Sequence, residues 1–205
     1  MIHIPRLPEP AIFKEKKARW EKNKSNRLKG DDRKAVLKIL RAMSKKCFYC
    51  EKQISCSESD IEHYIEIAER PDLAFEWTNL YLSCKACNNK LPNTDIPVIE
   101  CVDPCGAEHD PTVHLTFDEE IIKPKRGSER GRKTIQKYDL NRQLLLYDRL
   151  KKFKMFDKAL RTLITEKRFQ LTEKEKEKIN FMREPEHEYS LMFRVFLEDW
   201  EYILS

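Results

Sequence analysis

Cys47-Phe48-Tyr49-Cys50 opens, and Cys84-Lys85-Ala86-Cys87-Asn88 closes, the segment whose reading decides the fold of this chain. Between them stand Ile61-Glu62-His63 and Trp77-Thr78-Asn79-Leu80. Two Cys-x-x-Cys knuckles supply the four soft thiolates that a tetrahedral structural zinc needs. Rubredoxin-like iron or a redox dithiol would accept the same cysteines, but neither has a use for the residues they enclose. Those residues are the types that hold a hard cation and activate water. The unperturbed pKa of histidine lies near neutrality, so a neutral His63 can take a proton from water. Glu62 offers a hard carboxylate oxygen to Mg²⁺ or Mn²⁺, and Asn88 an amide oxygen. One carboxylate and one amide make a weak cage, which magnesium tolerates because it keeps waters and takes phosphate oxygens. Neighbours in a strand point to opposite faces, so a bulge or irregular backbone is expected if Glu62 and His63 serve one centre. Asn79 does no proton chemistry; its expected part is to tie the loop carrying His63 by side-chain to backbone hydrogen bonds.

Outward from this segment, Asp60–Glu66 alternates as a strand does, Arg70-Pro71-Asp72 is a turn, and 77–82 reads as a second strand or a short approach to one. Asn88-Asn89-Lys90 begins a helix that stops before Pro92. So small a core needs its metal, since structural zinc is worth on the order of 10 kcal/mol or more. On the N-terminal side, Pro5, Pro8 and Pro10 mark 1–13 as an extended arm, 14–28 is a weak helix, and apolar spacing predicts a helix over 32–44. On the C-terminal side, 113–117 reads as a strand and the Gly127/Gly131 stretch as a mobile loop. Leu144, Tyr147, Leu150, Phe153, Phe156, Leu160, Leu163 and Ile164 form an apolar stripe read as core. Thr172-x-x-Glu175 is a capping box, and 191–204 reads as a last helix packed on that stripe.

The charge is unevenly placed. From Lys14 to Lys46 there are 14 Lys/Arg against Glu15, Glu21, Asp31 and Asp32, near +10, whereas the whole chain is only +5. Lys123, Lys125, Arg126, Arg130, Arg132 and Lys133 form a second basic stretch. Phosphate backbones attract such patches without regard to sequence, so both are candidate nucleic-acid contacts; a solvated face is the plainer alternative. No apolar run approaches the ~18 residues needed to cross a membrane and no signal-type segment opens the chain, so a cytoplasmic location is expected. Seven cysteines, four of them in metal spacing, favour metal over disulfides there. Cys101-x-x-x-Cys105 with His109 is a conceivable second ligand set; Cys56, Cys101 and Cys105 as idle or buried thiols is the plainer reading.

The ordered set Cys47/Cys50, Ile61-Glu62-His63, Trp77-Thr78-Asn79-Leu80, Cys84-x-x-Cys87-Asn88 resembles the HNH (ββα-metal) endonucleases. The resemblance implies His63 as general base, Asn79 as orienter of its loop, Glu62 and Asn88 as holders of a catalytic Mg²⁺ or Mn²⁺, and the four cysteines on structural Zn²⁺. Glu62 stands where Asp is more usual, and Asn88 where the last His of the name would be, a known variant. Within the family the chain is most similar to the HNH nucleases of anti-phage defence operons, the Septu (PtuB-like) and retron-associated type. The cues are Met1-Ile-His-Ile-Pro-Arg6, the Glu51 after the first knuckle, Asp103-Pro104 to His114-Leu115, and Thr134-Ile135 to Leu140-Asn-Arg142. That likeness implies a PtuA-like ABC/SMC-like ATPase as partner, with a retron reverse transcriptase–DNA complex as a further partner class; the ordered motif beside two basic stretches makes DNA the expected substrate, though the sequence does not separate DNA from RNA.

The fold expected is α+β and mostly helical: a basic arm and helix over 1–44, a zinc-braced ββα-metal core over 45–95, and a connecting loop/strand segment with C-terminal helices over 96–205. The function expected is phosphodiester hydrolysis; the rival is a non-catalytic zinc module that binds nucleic acid or a partner and has no use for His63 or Asn88.

Overall fold

The computed structural model of the chain describes residues 1–22, 26–88, 96–108 and 110–204. The segment between the knuckles folds as an antiparallel pair, β1 (Ser59–His63) and β2 (Leu80–Cys84), in unbroken register from Ser59↔Cys84 to His63↔Leu80. Every residue of β2 is buried. A 3₁₀ turn over Trp77–Asn79 precedes β2, so this strand starts later than a reading from Trp77 implies. The cause is Asn79, whose side chain engages local backbone in place of a ladder. Directly after β2 comes α3 (Lys85–Asn88), which begins three residues before the predicted Asn88 start; Asn89 and the rest of that predicted helix lie outside the described residues.

The N-terminal residues form no loose arm. Residues 1–10 have no regular structure, yet Met1, Ile2 and Ile4 are buried and Ile4 N–H donates to the Pro104 carbonyl at 2.8 Å. Arg6 lies over the Tyr81 ring at 4.5 Å and donates to the Trp77 and Leu80 carbonyls at 2.7 and 3.1 Å. Helix α1 (Ala11–Glu21) docks through Phe13 against Trp77 and Trp20 against Phe75, with ring centroids 5.4 and 5.9 Å apart. Helix α2 (Gly30–Met43) turns its buried Val36, Leu37 and Leu40 inward and packs on both strands.

Beyond the core, α4 (Pro111–His114) is a helical turn where the sequence suggested a strand from Val113. Asp110 caps it by accepting from Thr112 N–H at 2.9 Å, and Pro111 fits its first position. Strand β3 (Leu115–Asp118) then pairs antiparallel with β4 (Ile121–Pro124). The glycine-containing basic stretch, expected as a mobile loop, runs from β4 through a turn at Gly127 into a helix, α5 (Glu129–Lys137), which takes in Gly131. Ser128 caps it by accepting from Gly131 N–H at 3.0 Å, and a Cβ at Gly131 would sit 2.2 Å from the His114 carbonyl oxygen. That glycine therefore exists for close approach, not for flexibility.

Four helices complete the chain: α6 (Gln143–Glu166), α7 (Glu173–Asn180), α8 (Ser190–Glu198) and α9 (Glu201–Leu204). The Thr172/Glu175 capping box opens α7 as read. The predicted final helix is split near Asp199 and Trp200 into α8 and α9. Phe153 and Phe156 of α6 meet Phe196 and Phe193 of α8 edge-on at 5.0 Å. The buried face of α6 is Leu145, Arg149, Phe153, Leu160 and Ile164, whereas Leu144 and Tyr147 are 82% and 68% exposed. The apolar stripe is thus shifted at its start, and the residue that replaces Tyr147 in it is a buried arginine. Arg149 is tolerated because its guanidinium donates to the Leu140 carbonyl at 2.6 Å and to Asn141 Oδ1 at 3.1 Å. Hydropathy alone passes over such a residue. Among the described residues no helix is long and apolar enough to cross a membrane.

Candidate functional site

The two knuckles converge. The sulfurs of Cys47, Cys50, Cys84 and Cys87 all lie within 4.8 Å of one another, and all four residues are buried. Four sulfurs around a tetrahedral Zn²⁺ with bonds of about 2.3 Å stand about 3.8 Å apart. Cys50 Sγ and Cys84 Sγ are separated by 3.9 Å, so the set fits that ion. Among the described residues this is the sole group of three or more Cys, His, Asp or Glu ligands so gathered.

Packing of the knuckles draws on distant parts of the chain. Arg142, just before α6, points its Nη2 at Cys87 Sγ at 3.3 Å and Cys84 Sγ at 3.9 Å. Burial disfavours the Arg142 charge, but the neighbouring thiolates outweigh it and hold its pKa above the usual range. A cation there offsets the negative charge that four thiolates bring to a divalent metal. Glu51, in the left-handed region at φ 62°, turns the chain after the first knuckle. Its buried carboxylate accepts from Ser190 Oγ at 2.7 Å and sits 2.5 Å from the Met1 nitrogen and 3.3 Å from Lys46 Nζ. Burial works to raise the pKa of Glu51, yet these two cations bring it down to about 2. The knuckle is so tied to the start of α8.

Each predicted residue can now be located. His63 is the last residue of β1, and its Nε2 lies 2.9 Å from the Ala74 carbonyl oxygen. A carbonyl only accepts, so Nε2 carries the proton and the lone pair of the neutral ring is on Nδ1. Asn79 is buried and reaches across the loop that follows His63. Its Oδ1 accepts from Ile65 N–H at 2.7 Å, and its Nδ2 donates to the Ile65 and Leu73 carbonyls at 3.0 and 3.2 Å. The backbone adds Tyr64 N–H to the Asn79 carbonyl at 3.0 Å. Arg6, on the other side, grips the carbonyls of Trp77 and Leu80. The loop over the imidazole is thereby fixed from within and from behind.

Glu62 is buried, and its charge raises the pKa of the Tyr49 and Tyr138 phenols beyond what burial does. No bulge interrupts the ladder at Glu62↔Tyr81 or His63↔Leu80, contrary to the expectation above. The two side chains leave the strand on opposite faces, and a centre shared by both has to lie off the strand end. Asp60, two residues earlier, shares the face of Glu62, and Asn88 Nδ2 donates to Asp60 Oδ2 at 2.6 Å. Asn88 therefore stands on the Glu62 side of the strand.

The second basic stretch is less available than its charge suggests. Lys123 pairs with Asp118, Arg132 with Glu129 and Lys133 with Glu100, while Arg130 donates to the Ile99 and Cys101 carbonyls. Lys125 and Arg126 are exposed on the turn after β4 and make no ion pair among the described residues. In the N-terminal stretch, Lys16 and Arg19 meet Asp32, Lys17 meets Glu76, and Arg33 meets Asp60. Cys101 is buried and Cys105 half-buried; His109 lies outside the described residues.

Sequence reasoning missed Asp60, Arg6, Arg33 and Arg142. Asp60 had a signal, the two-residue repeat that puts it beside Glu62. Arg6 and Arg142 stood only within stretches that carry the family likeness, and Arg33 had no signal; nothing local names their partners, which are backbone carbonyls, sulfurs or a carboxylate far along the chain.

Residues 47–94 match the family described as HNH endonuclease. Among curated proteins, the chain is 30% identical over 198 residues to the Septu protein PtuB of Bacillus mycoides (strain KBAB4), covering 74% of this chain and 66% of that one. It is 27% identical over 155 residues to the Septu protein PtuB of Bacillus thuringiensis, covering 73% and 59%. The chain thus spans somewhat under two thirds of the length of these relatives.

Proposed function

We propose that the chain, which matches the HNH endonuclease family over residues 47–94 and is similar to the Septu protein PtuB, is a metal-dependent nuclease that hydrolyses DNA phosphodiester bonds in anti-phage defence, beside a PtuA-like ABC/SMC-like ATPase. The observation that carries the catalytic part is the bond from His63 Nε2 to the Ala74 carbonyl. It commits the imidazole to the tautomer whose Nδ1 is the basic nitrogen. As Nδ1 takes a proton from the attacking water, positive charge spreads over the ring and the Nε2–H bond to Ala74 strengthens. Asn79 is the orienter: by holding Ile65 and Leu73 it keeps Ala74 and the ring in one relation. Glu62 and Asn88 would hold Mg²⁺ or Mn²⁺. Such an ion, when bound, supplies positive charge to the phosphate oxygens and the leaving group. Lys125 and Arg126 are exposed cations suited to the phosphate backbone.

The test is cleavage of supercoiled plasmid in Mg²⁺ and Mn²⁺ by the chain, alone and with its ATPase. His63→Ala is expected to lower cleavage by about 10²–10⁴-fold with zinc content and melting temperature unchanged. Cleavage by His63→Ala at the wild-type rate would overturn the assignment.

A further inference from the structure

Asp60 stands beside the proposed cation site with no part in the mechanism above. Its two oxygens have separate partners. Oδ1 takes Arg33 Nη2 at 2.6 Å and the amide N–H of Ile61 at 2.9 Å, and Oδ2 takes Asn88 Nδ2 at 2.6 Å. An asparagine amide has a donor end and an acceptor end, and these look alike in shape. A cation accepts only the oxygen. Something must therefore decide which end of Asn88 faces the cation, and a carboxylate, which only accepts, can make that choice.

We propose that Asp60 is a positioning residue for the divalent cation. It binds the NH₂ of Asn88 and so turns Oδ1 toward the ion, and Arg33 from α2 holds Asp60 for that task. This rests on the reading that Glu62 and Asn88 hold the cation. The plainer role for the same bond is a tie between β1 and α3. The two roles differ in polarity: a tie needs any hydrogen bond, whereas positioning needs an acceptor at residue 60.

Asp60→Asn separates them. Arg33 and the Ile61 amide still demand an oxygen at the Oδ1 position, so the new NH₂ faces Asn88. Two donors cannot bond, and the Asn88 amide turns over. The tie survives, but nitrogen now faces the cation. Adding Asn88→Asp restores the pattern with the polarity exchanged, because the substituted carboxylate accepts from residue 60 and keeps one oxygen for the ion.

The experiment is Mn²⁺ titration of the zinc-loaded chain followed by electron paramagnetic resonance, with zinc content and melting temperature measured on each variant. A second readout is the Asn88 side-chain NH₂ signal in metal-free protein, assigned through Asn88→Ala. Asp60→Asn is expected to weaken Mn²⁺ binding about tenfold or more, the range for partners of metal ligands. Its zinc content and melting temperature should match wild type, and its Asn88 NH₂ signal should shift. The double variant is expected to recover most of the Mn²⁺ affinity. Mn²⁺ binding by Asp60→Asn as tight as wild type would overturn the proposal, as would a double variant no better than Asp60→Asn. If wild type itself binds no Mn²⁺ while the Asn88 NH₂ signal still depends on Asp60, the cation reading fails, and Asp60 is reduced to a tie.

Discussion

The segment from Cys47 to Asn88 and the helices from Gln143 to Leu204 reach order by different routes. In the first, the two five-residue strands and the four-residue helix are short, and their buried side chains, such as Leu80, Tyr81 and Leu82, join the same apolar cluster as Phe153 and Phe193. Their geometry comes from sulfur ligands, from Asn79 on backbone atoms, and from Arg6 and Arg142 brought in from elsewhere. In the second, Phe153, Phe156, Phe193 and Phe196 interlock edge to face, and the helices would be recognisable with most polar contacts removed. Polar scaffolding gives atoms fixed directions, which a proton-transfer site requires. Apolar packing gives adhesion with less demand on direction. The candidate site sits in the part whose loops are held by directed polar contacts, those of Asn79 above all.

The comparison can be broken most forcefully at the metal. Cys84→Ser, or a zinc chelator, removes an interaction worth on the order of 10 kcal/mol, so the ββα segment is expected to unfold while α6 and α8 stay paired. Zinc analysis with hydrogen exchange on β1, β2 and α6 checks this, and a Cys84→Ser chain that melts like wild type would remove the distinction. Leu160→Ala, buried on α6, is expected to cost about 2–5 kcal/mol by leaving a cavity. It should lower the melting temperature without altering zinc content; loss of zinc in this variant would mean the two regions are one cooperative unit. Arg142→Met sharpens the boundary between them. It keeps the packed stem but removes the cation beside Cys87, and zinc should be lost to a competing chelator about 10–100-fold more readily. Unchanged transfer kinetics would assign Arg142 to packing alone. Smallest is Leu144→Ser, at a side chain 82% exposed, expected within about 0.5 kcal/mol of wild type by thermal melting. A cost near that of Leu160→Ala would return Leu144 to the core stripe.

Legibility in the sequence followed the same division. The knuckles, Glu62-His63, Asn79 and Asn88 stood out because a metal ligand and a base need particular atoms, and particular atoms need particular residues at nearly fixed spacing. The helices of the C-terminal half stood out by period, which is tolerant: the pattern that marked α6 also enrolled Leu144 and Tyr147 and passed over Arg149. The α5 helix was hidden because Gly127 and Gly131 read as flexibility, when Gly131, inside the helix, serves a close contact with the His114 carbonyl. The basic patches were visible as charge, but how much of that charge is spent within the molecule, on Asp118, Glu129, Glu100 and Asp32, depends on which acids folding brings near.

By itself, then, the sequence determined the ligand chemistry, the order of the motif and the α+β class, because these rest on residue identity and on spacings of a few positions. Only the tertiary structure decided which nitrogen of His63 carries the proton, which carboxylate accepts from the Asn88 amide and which arginine faces the thiolates. Each of those depends on a contact between residues from 11 to 58 positions apart, and no local pattern encodes the distance or direction of such a contact.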